Sequence, residues 1–487
     1  MSSDRRSFVK TLSAAGLAAL GSSLAHAEPV PNKSGKRLRY AIVGTGHRHR
    51  MYRSAILGDY KEHAELVGLC DINPGRAALS AKVAADAGVK VPTYVAADFD
   101  TMVKETKPDV VIVTTVDATH DDYIVRSLDL GCDVITEKPM TTTAEKCQRI
   151  LDAKKRSGKT VRVTFNYRYS PPRTQVKDIL MSGEIGDILS VDFHWLLNTT
   201  HGADYFRRWH ANKKNSGGLM IHKATHHFDL VNWWLSAQPA SVVAVGKREF
   251  YTPAMAKRFG LSGPHERCRT CPEKDKCGFF MDLAAEPSLK ALYLDNEHHD
   301  GYFRDRCVFR DSIDIEDTMN VIVKYDTGTT LSYSLNAFNA WEGYQIAFNG
   351  TKGRLEHSIV EQIYTAGTNQ VQGGIAEGGV KTRVIPLRGP AKDYQPWTGT
   401  GGHGGGDKAL LDDIFVINPP ADKYQRNSDE RGGAASILIG VAANQCFETG
   451  QPVQLASLVQ GWDRPALTPM PTHLDPVPMP VRRPRGG

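Results

Sequence analysis

The sequence predicts an α/β protein of two domains. The first is an N-terminal Rossmann domain, a doubly wound parallel sheet; the second is an α+β domain with a mostly antiparallel open sheet. Three observations carry this. Short apolar runs alternate with helical patterns from residue 38 to about 160, as βαβ units with right-handed crossovers require. Beyond about residue 170 the pattern becomes alternating, half-buried runs broken by Asp-Thr-Gly and Asn-Gly turns. The first apolar run ends in Gly44-Thr45-Gly46, where a strand would turn into a helix. Of the 487 residues, 41% are hydrophobic and 23% charged, which excludes a disordered or collagen-like chain.

Taken in order, the chain opens with Arg5-Arg6, a small apolar run over 11–24 and Ala25-His26-Ala27. This looks like a twin-arginine export signal cleaved before Glu28. The expected organisation is a signal over 1–27, a linker over 28–37, a nucleotide-binding domain over 38–160 and an α+β domain over 161–460. A cysteine-rich insertion falls at about 250–310 and a Pro-rich tail at 461–487. The expected location is periplasmic or extracellular, reached folded through the twin-arginine machinery. No later run offers about 18 uninterrupted apolar residues, so no membrane anchor is expected. A net charge of +6 is too mild to call for nucleic acid.

Strands are expected at 38–43, 64–70, 109–114, 133–136 and 161–165, with helices at 121–130 and 142–157. The run 109–114 is continuously apolar, as a strand covered on both faces should be. In the second domain a strand is expected at 188–196. Hairpins are expected over 317–338, around Asp326-Thr327-Gly328, and over 345–356, around Asn349-Gly350. Helices are expected at 173–182, 224–236, 406–418 and 428–449, the last with Ser428 as N-cap. Residues 385–405 and 465–487 read as loop or tail, and there is no solenoid-type repeat.

Gly44 and Gly46 suit a tight turn and close backbone approach to a pyrophosphate, with His47 on the way into a helix whose amides face the phosphates. His49 stands where the fingerprint has its third glycine, which predicts looser helix–strand packing. Asp71 ends the second strand, where a carboxylate accepts ribose hydroxyls and repels a 2′-phosphate. NAD is therefore expected over NADP, with Arg76 keeping the alternative open.

Glu137-Lys138-Pro139 follows the strand 133–136, an arrangement that aims one ammonium into a cleft. With the fold upstream, this resembles the glucose–fructose oxidoreductase / inositol dehydrogenase / MocA family over about residues 38–360. The resemblance places Lys138 near the nicotinamide and the substrate hydroxyl. The family's second signature is a glycine pair, an Asp and a His four residues later. Here it reads Gly217-Gly218 through His222, Lys223, His226, His227 and Asp229. His226 matches the acid/base histidine, and Asp229 matches an acidic position that fixes the helix. His222 replaces the family's first Asp. Residues 222 and 226 share a helical face, which can turn His222 or Lys223 to the cofactor, whereas His227 is expected to pack elsewhere. His120 falls where the family has cofactor-loop residues, and Glu137 is likewise expected to face the cofactor.

Hydride transfer from a secondary alcohol needs a base for the hydroxyl proton and a cation for the developing alkoxide. His226 suits the first role and Lys138 the second. Neighbouring cations should lower the histidine pKa and keep it a base. Arg168, Arg208 and Trp209, with Asn166, Arg207 and His210, form either a sugar-binding face or a solvated basic surface. His403, in a Gly-rich segment, is a candidate for covering the pocket.

Cys268, Cys271, Cys277 and Cys307 form a spaced set that suits structural zinc, two disulfides or an iron–sulfur cluster. The expected activity is NAD(P)-dependent oxidation or reduction of a sugar, cyclitol or keto-sugar with tightly held cofactor, because a periplasm supplies no free NAD pool. A glycosidase using NAD transiently and a non-catalytic binder are the alternatives. The resemblance also implies a homo-oligomer built through the open sheet face.

Overall fold

The computed structural model describes residues 35–471 together with 476, 477 and 479. The expected export signal over 1–27 lies outside the described residues. Six strands form the first sheet: β1 (Leu38–Val43), β2 (Ala64–Asp71), β3 (Thr93–Val95), β4 (Val110–Val113), β5 (Asp133–Glu137) and β6 (Val161–Thr164). All are parallel, in the order β3-β2-β1-β4-β5-β6. Strand order reverses between β1 and β4, so the crevice beyond their C-terminal ends is where a nucleotide belongs. Every residue of β4 is buried. The helix Ala144–Ser157 starts at Thr143, whose side chain accepts from the Lys146 amide, and stops at the left-handed Gly158. The helices Pro74–Asp86 and Phe99–Thr106 and the short β3 were not legible in the apolar pattern.

The second sheet has nine strands: β7 (Ile188–Asn198), β8 (Pro239–Lys247), β9 (Thr318–Tyr325), β10 (Thr330–Asn339), β11 (Glu342–Gly350), β12 (Gly353–Glu361), β13 (Ile375–Pro386), β14 (Lys392–Asp393) and β15 (Val453–Gln454). Their order is β14-β13-β12-β11-β7-β10-β9-β8-β15. Only the β7–β10 pair is parallel. One face packs on the helices Ala224–Leu235 and Glu430–Thr449; the other is open and exposes Leu189, Val243, Val245 and Ile322. Strand β9 shows the reason: Met319, Val321, Val323 and Tyr325 alternate inward with Asn320, Ile322 and Lys324 outward.

Three boundaries move. The second hairpin turns after Gly350, at Thr351-Lys352, because Asn349 and Gly350 still pair with β12 or β7. The last long helix is capped by Asp429 rather than Ser428: the Asp429 carboxylate accepts from the Arg431 and Gly432 amides. The 385–405 segment is not all loop, since β14 lies in it and the helix Gly402–Phe415 starts there.

The two domains share one continuous core. The Val163 amide donates to the Ser428 carbonyl (3.0 Å), and Asp429 bridges Arg162, so late residues close the β6 edge of the first sheet. Among the described residues no helix is long and apolar enough to cross a membrane.

Candidate active site

The Gly-rich turn is built for close approach. Gly44 has φ +89°, and a Cβ there would lie 2.6 Å from the backbone at Thr114 and Thr115. A Cβ on Gly46 would meet nothing within 4 Å, leaving that side open to a pyrophosphate. His49, in place of the third glycine, does not loosen the packing. Its ring is buried, with Nε2 2.8 Å from Ser80 Oγ and Nδ1 against the Gly46 carbonyl. Burial drives it down to about 3, so it is a neutral spacer. Asp71 accepts from the Thr45 amide (2.5 Å) and hydroxyl (2.9 Å), the Asn73 amide (2.7 Å) and Arg76 (3.3 Å). It therefore organises the groove's two turns.

A roof crosses this groove, from the segment between β8 and β9. The Tyr293 hydroxyl takes the His47 amide (3.3 Å), and Arg50 donates to Ser288 (2.7 Å). The Asn73 side chain donates to the Asn296 carbonyl (2.8 Å), and Arg76 pairs with Asp300 (2.5 Å). The approach is close enough that a Cβ on Gly75 would lie 1.9 Å from Asn296 Oδ1. The His47 ring meets Gln372 Nε2 at 3.0 Å.

At the end of β5 the Lys138 ammonium donates to the His222 carbonyl (3.1 Å). The two nearby carboxylates are engaged elsewhere. Glu137 holds Arg48 and the Tyr52 hydroxyl, both at 2.6 Å. Asp117 meets His222 Nδ1 at 2.5 Å. Burial lowers Lys138 to about 8, against the pull of Asp117 and Glu137. Burial raises Asp117 well above the carboxylate range and, with Lys138 and Arg208, lowers His222 well below the histidine range. These directions favour an uncharged carboxyl–imidazole contact. Asp117 was missed in the sequence; its place just past β4, at the switch point, was the available signal.

His226 stacks on Tyr167 (4.4 Å between centroids), and its Nδ1 has no hydrogen-bond partner. Burial lowers it well below the histidine range, helped by Lys138, Lys223 and His403. His403 sits behind Tyr167, in a left-handed backbone (φ 52°) continued by Gly404 and Gly405. Its ring meets Asp407 at 2.9 Å, and Asn166 holds the same carboxylate at 2.8 Å. The buried His403 thus packs into the site rather than lying over it as a loose cover.

The description "Oxidoreductase family, NAD-binding Rossmann fold" matches residues 38–165, and "Oxidoreductase family, C-terminal alpha/beta domain" matches 177–455. The chain belongs to the Gfo/Idh/MocA oxidoreductase family. YteT of Bacillus subtilis (strain 168), an oxidoreductase by name, is 37% identical over 417 residues, 84% of this chain and 96% of that protein. An inositol 2-dehydrogenase of Salmonella typhimurium is 29% identical over 196 residues, 40% of this chain and 52% of that one. Two solved structures share the fold. The aldose-aldose oxidoreductase from Caulobacter crescentus has a TM-score of 0.56 at 16% identity, over 86% of this chain and 100% of that one. The WlbA dehydrogenase from Bordetella pertussis, solved with NADH and UDP-GlcNAcA, has 0.56 at 18%, over 86% and 99%. The first domain is accordingly an NAD-binding Rossmann domain, and the protein is an enzyme.

Several expected site residues of this oxidoreductase do other work. Arg168 is buried in a two-pronged pair with Asp229 (2.7 and 2.5 Å), fixing the helix Ala224–Leu235 instead of facing substrate. His120 is buried, with its ring between the carbonyls of Pro139 (2.8 Å) and Thr115 (3.2 Å), so it braces the loops around Lys138. His227 stacks on Trp195 at 3.8 Å, with Nδ1 2.6 Å from the Tyr333 hydroxyl. Lys223 lies over Trp195 (4.9 Å) near the Tyr167 hydroxyl (3.5 Å), on the inner side of His226. Arg208 pairs with Asp204 (3.2 Å). The half-buried Trp209 stacks on His210 at 3.5 Å, and His210 meets His222 edge-on at 4.1 Å, forming an aromatic wall.

None of the eight cysteines is joined in a disulfide in this structure. Among the described residues no group of three or more His, Cys, Asp or Glu side chains is placed to hold a metal ion. The expected structural zinc is thus not shown.

Proposed function

We propose that this oxidoreductase uses NAD to oxidise a secondary hydroxyl of a sugar or cyclitol, or to reduce the matching keto-sugar. The observation that carries the reading is the placing of Lys138 at the end of β5, beside the nucleotide groove and within electrostatic reach of His226. There the ammonium has a carbonyl but no free carboxylate, and the neutral histidine keeps a ring nitrogen unpartnered. The groove fits the cofactor: Gly44 allows close approach, Gly46 leaves open space, and no side chain caps the helix that follows. NAD is favoured over NADP, because Arg76 is already held by both Asp71 and Asp300. When bound, the nicotinamide supplies the hydride acceptor. His226 takes the hydroxyl proton at its ring nitrogen. The Lys138 ammonium stabilises the oxygen as negative charge develops, in a buried setting where such a contact is strong. The Asp117–His222 pair fixes the backbone carbonyl that aims Lys138. Trp209, backed by His210, offers an aromatic platform for the apolar face of a polyol ring, and the inositol and aldose enzymes among the relatives support that substrate class.

The finer reading includes twin-arginine export to the periplasm, tight cofactor retention and assembly of copies through the open sheet face. Among the relatives named above none is a glycoside hydrolase, and that alternative is set aside. The test is direct. Purified protein without added nucleotide is denatured and the released dinucleotide identified, and the intact enzyme is assayed on inositols and free aldoses. Released NAD(H) that a polyol reduces and a second sugar reoxidises is the expected result. Activity only with added NADP overturns both the cofactor preference and the retention.

A further inference from the structure

The roof over the nucleotide groove is closed at its base. The Cys268 amide donates to the Asp305 carbonyl (2.8 Å) and the Cys307 amide to the Glu266 carbonyl (3.2 Å), so both ends of the segment run side by side. At this closure Cys268, Cys271, Cys277 and Cys307 all line one cavity of about 20 Å³, room for about one water-sized species. Much of its remaining wall is apolar, from Phe279, Phe280, Val308 and Phe309.

A further observation bears on these thiols. Arg207 and Arg310 are only 5% and 6% exposed. Among the described residues neither pairs with a carboxylate, and the Nε of each has no partner. Arg207 instead donates to Cys268 Sγ (3.3 Å) and the Phe279 carbonyl (2.9 Å), and Arg310 donates to the Cys307 carbonyl. A buried guanidinium without a counter-charge is costly.

We propose that Cys268, Cys271, Cys277 and Cys307 hold a thiophilic metal centre that pins the base of the roof. Four thiols release four protons to solvent. With a divalent ion, the four thiolates form a centre of net charge −2, which Arg207 and Arg310 answer. A single zinc ion and an iron–sulfur cluster share this ligand chemistry. In the structure the thiols line the cavity without being placed to hold an ion, so ligation draws them inward from its wall.

The experiment uses the full chain, expressed with zinc and iron supplied and purified without oxygen or chelator. Metal content, acid-labile sulfide and the visible spectrum are measured on the native protein. One equivalent of zinc in colourless protein, or iron with sulfide in coloured protein, supports the centre and separates the two sources. Metal-free protein overturns it, whether its thiols are reactive or joined as disulfides. A Cys271→Ser, Cys277→Ser double variant should lose the metal, while Cys446→Ser keeps it. Full metal retention in the double variant overturns the ligand assignment. If the double variant does not fold, the native analysis still decides.

Discussion

The cleft and the interior of the second domain both bury cations, but they treat them differently. Arg168 and Arg173 each own a carboxylate, Asp229 and Glu361, at 2.5 and 2.6 Å. Lys138 is left with a carbonyl, because Arg48 and Tyr52 hold Glu137 and His222 holds Asp117. The adjacent histidines differ less: His227 spends Nδ1 on Tyr333 and leaves Nε2 unpartnered, while His226 leaves Nδ1 unpartnered. Arg168 and Arg173 are neutralised, since an unpaired buried charge costs stability; Lys138 is not, and on the proposed reading its charge is kept for a reacting oxygen.

The strongest way to break this comparison is on the interior side. Arg168→Ala leaves Asp229 buried and alone, and should cost about 3–5 kcal/mol. Chemical denaturation would read this, and a loss under 1 kcal/mol would refute the structural role. On the cleft side, Lys138→Ala should lower kcat about 100- to 1,000-fold, with NADH binding, followed by fluorescence, little changed. His226→Ala should lower it about 100-fold or more. If either variant keeps full turnover, the assignment of roles fails. Asp71→Ala removes several charged hydrogen bonds, each worth about 1.5–3 kcal/mol; it should weaken NAD affinity at least about tenfold and lower Tm. The smallest effect is in pH. Lys138 is held near about 8 by burial, so it is charged below that pH and loses its proton above it. Turnover should fall as pH rises through about 8, and Lys138→Arg should flatten that limb. An unchanged limb would put the ionisation elsewhere.

Much of the fold was legible because periodicity reports burial. The continuously apolar 109–114 read as a doubly covered strand, and the Asp-Thr-Gly turn located the β9–β10 hairpin. The helix Pro74–Asp86 escaped because its Ala, Ser and Gly residues offer little apolar contrast. Lys138 and His226 stood out as motifs. Asp117 did not, because its role depends on a contact with His222 that lies far away along the chain. Arg168 was misread for a related reason: an Arg after a strand looks alike in sequence whether a buried Asp meets it or not. The roof was seen only as an insertion, since nothing local indicates that Asp300 reaches Arg76.

The strap of Ser428 and Asp429 along β6 sets an order of assembly. During synthesis β1 to β6 leave the ribosome first, yet the β6 edge stays open until nearly the whole chain has followed. Strand β7 likewise waits for β10 and β11, its neighbours on either side. Both closures join residues that are distant along the chain, the kind of contact that slows folding and leaves strand edges exposed meanwhile. By sequence pattern there are two domains; in time there is one event, completed only when the helix Glu430–Thr449 docks. Removing that helix should therefore leave neither sheet finished, and the first domain should not survive the cut as a folded fragment.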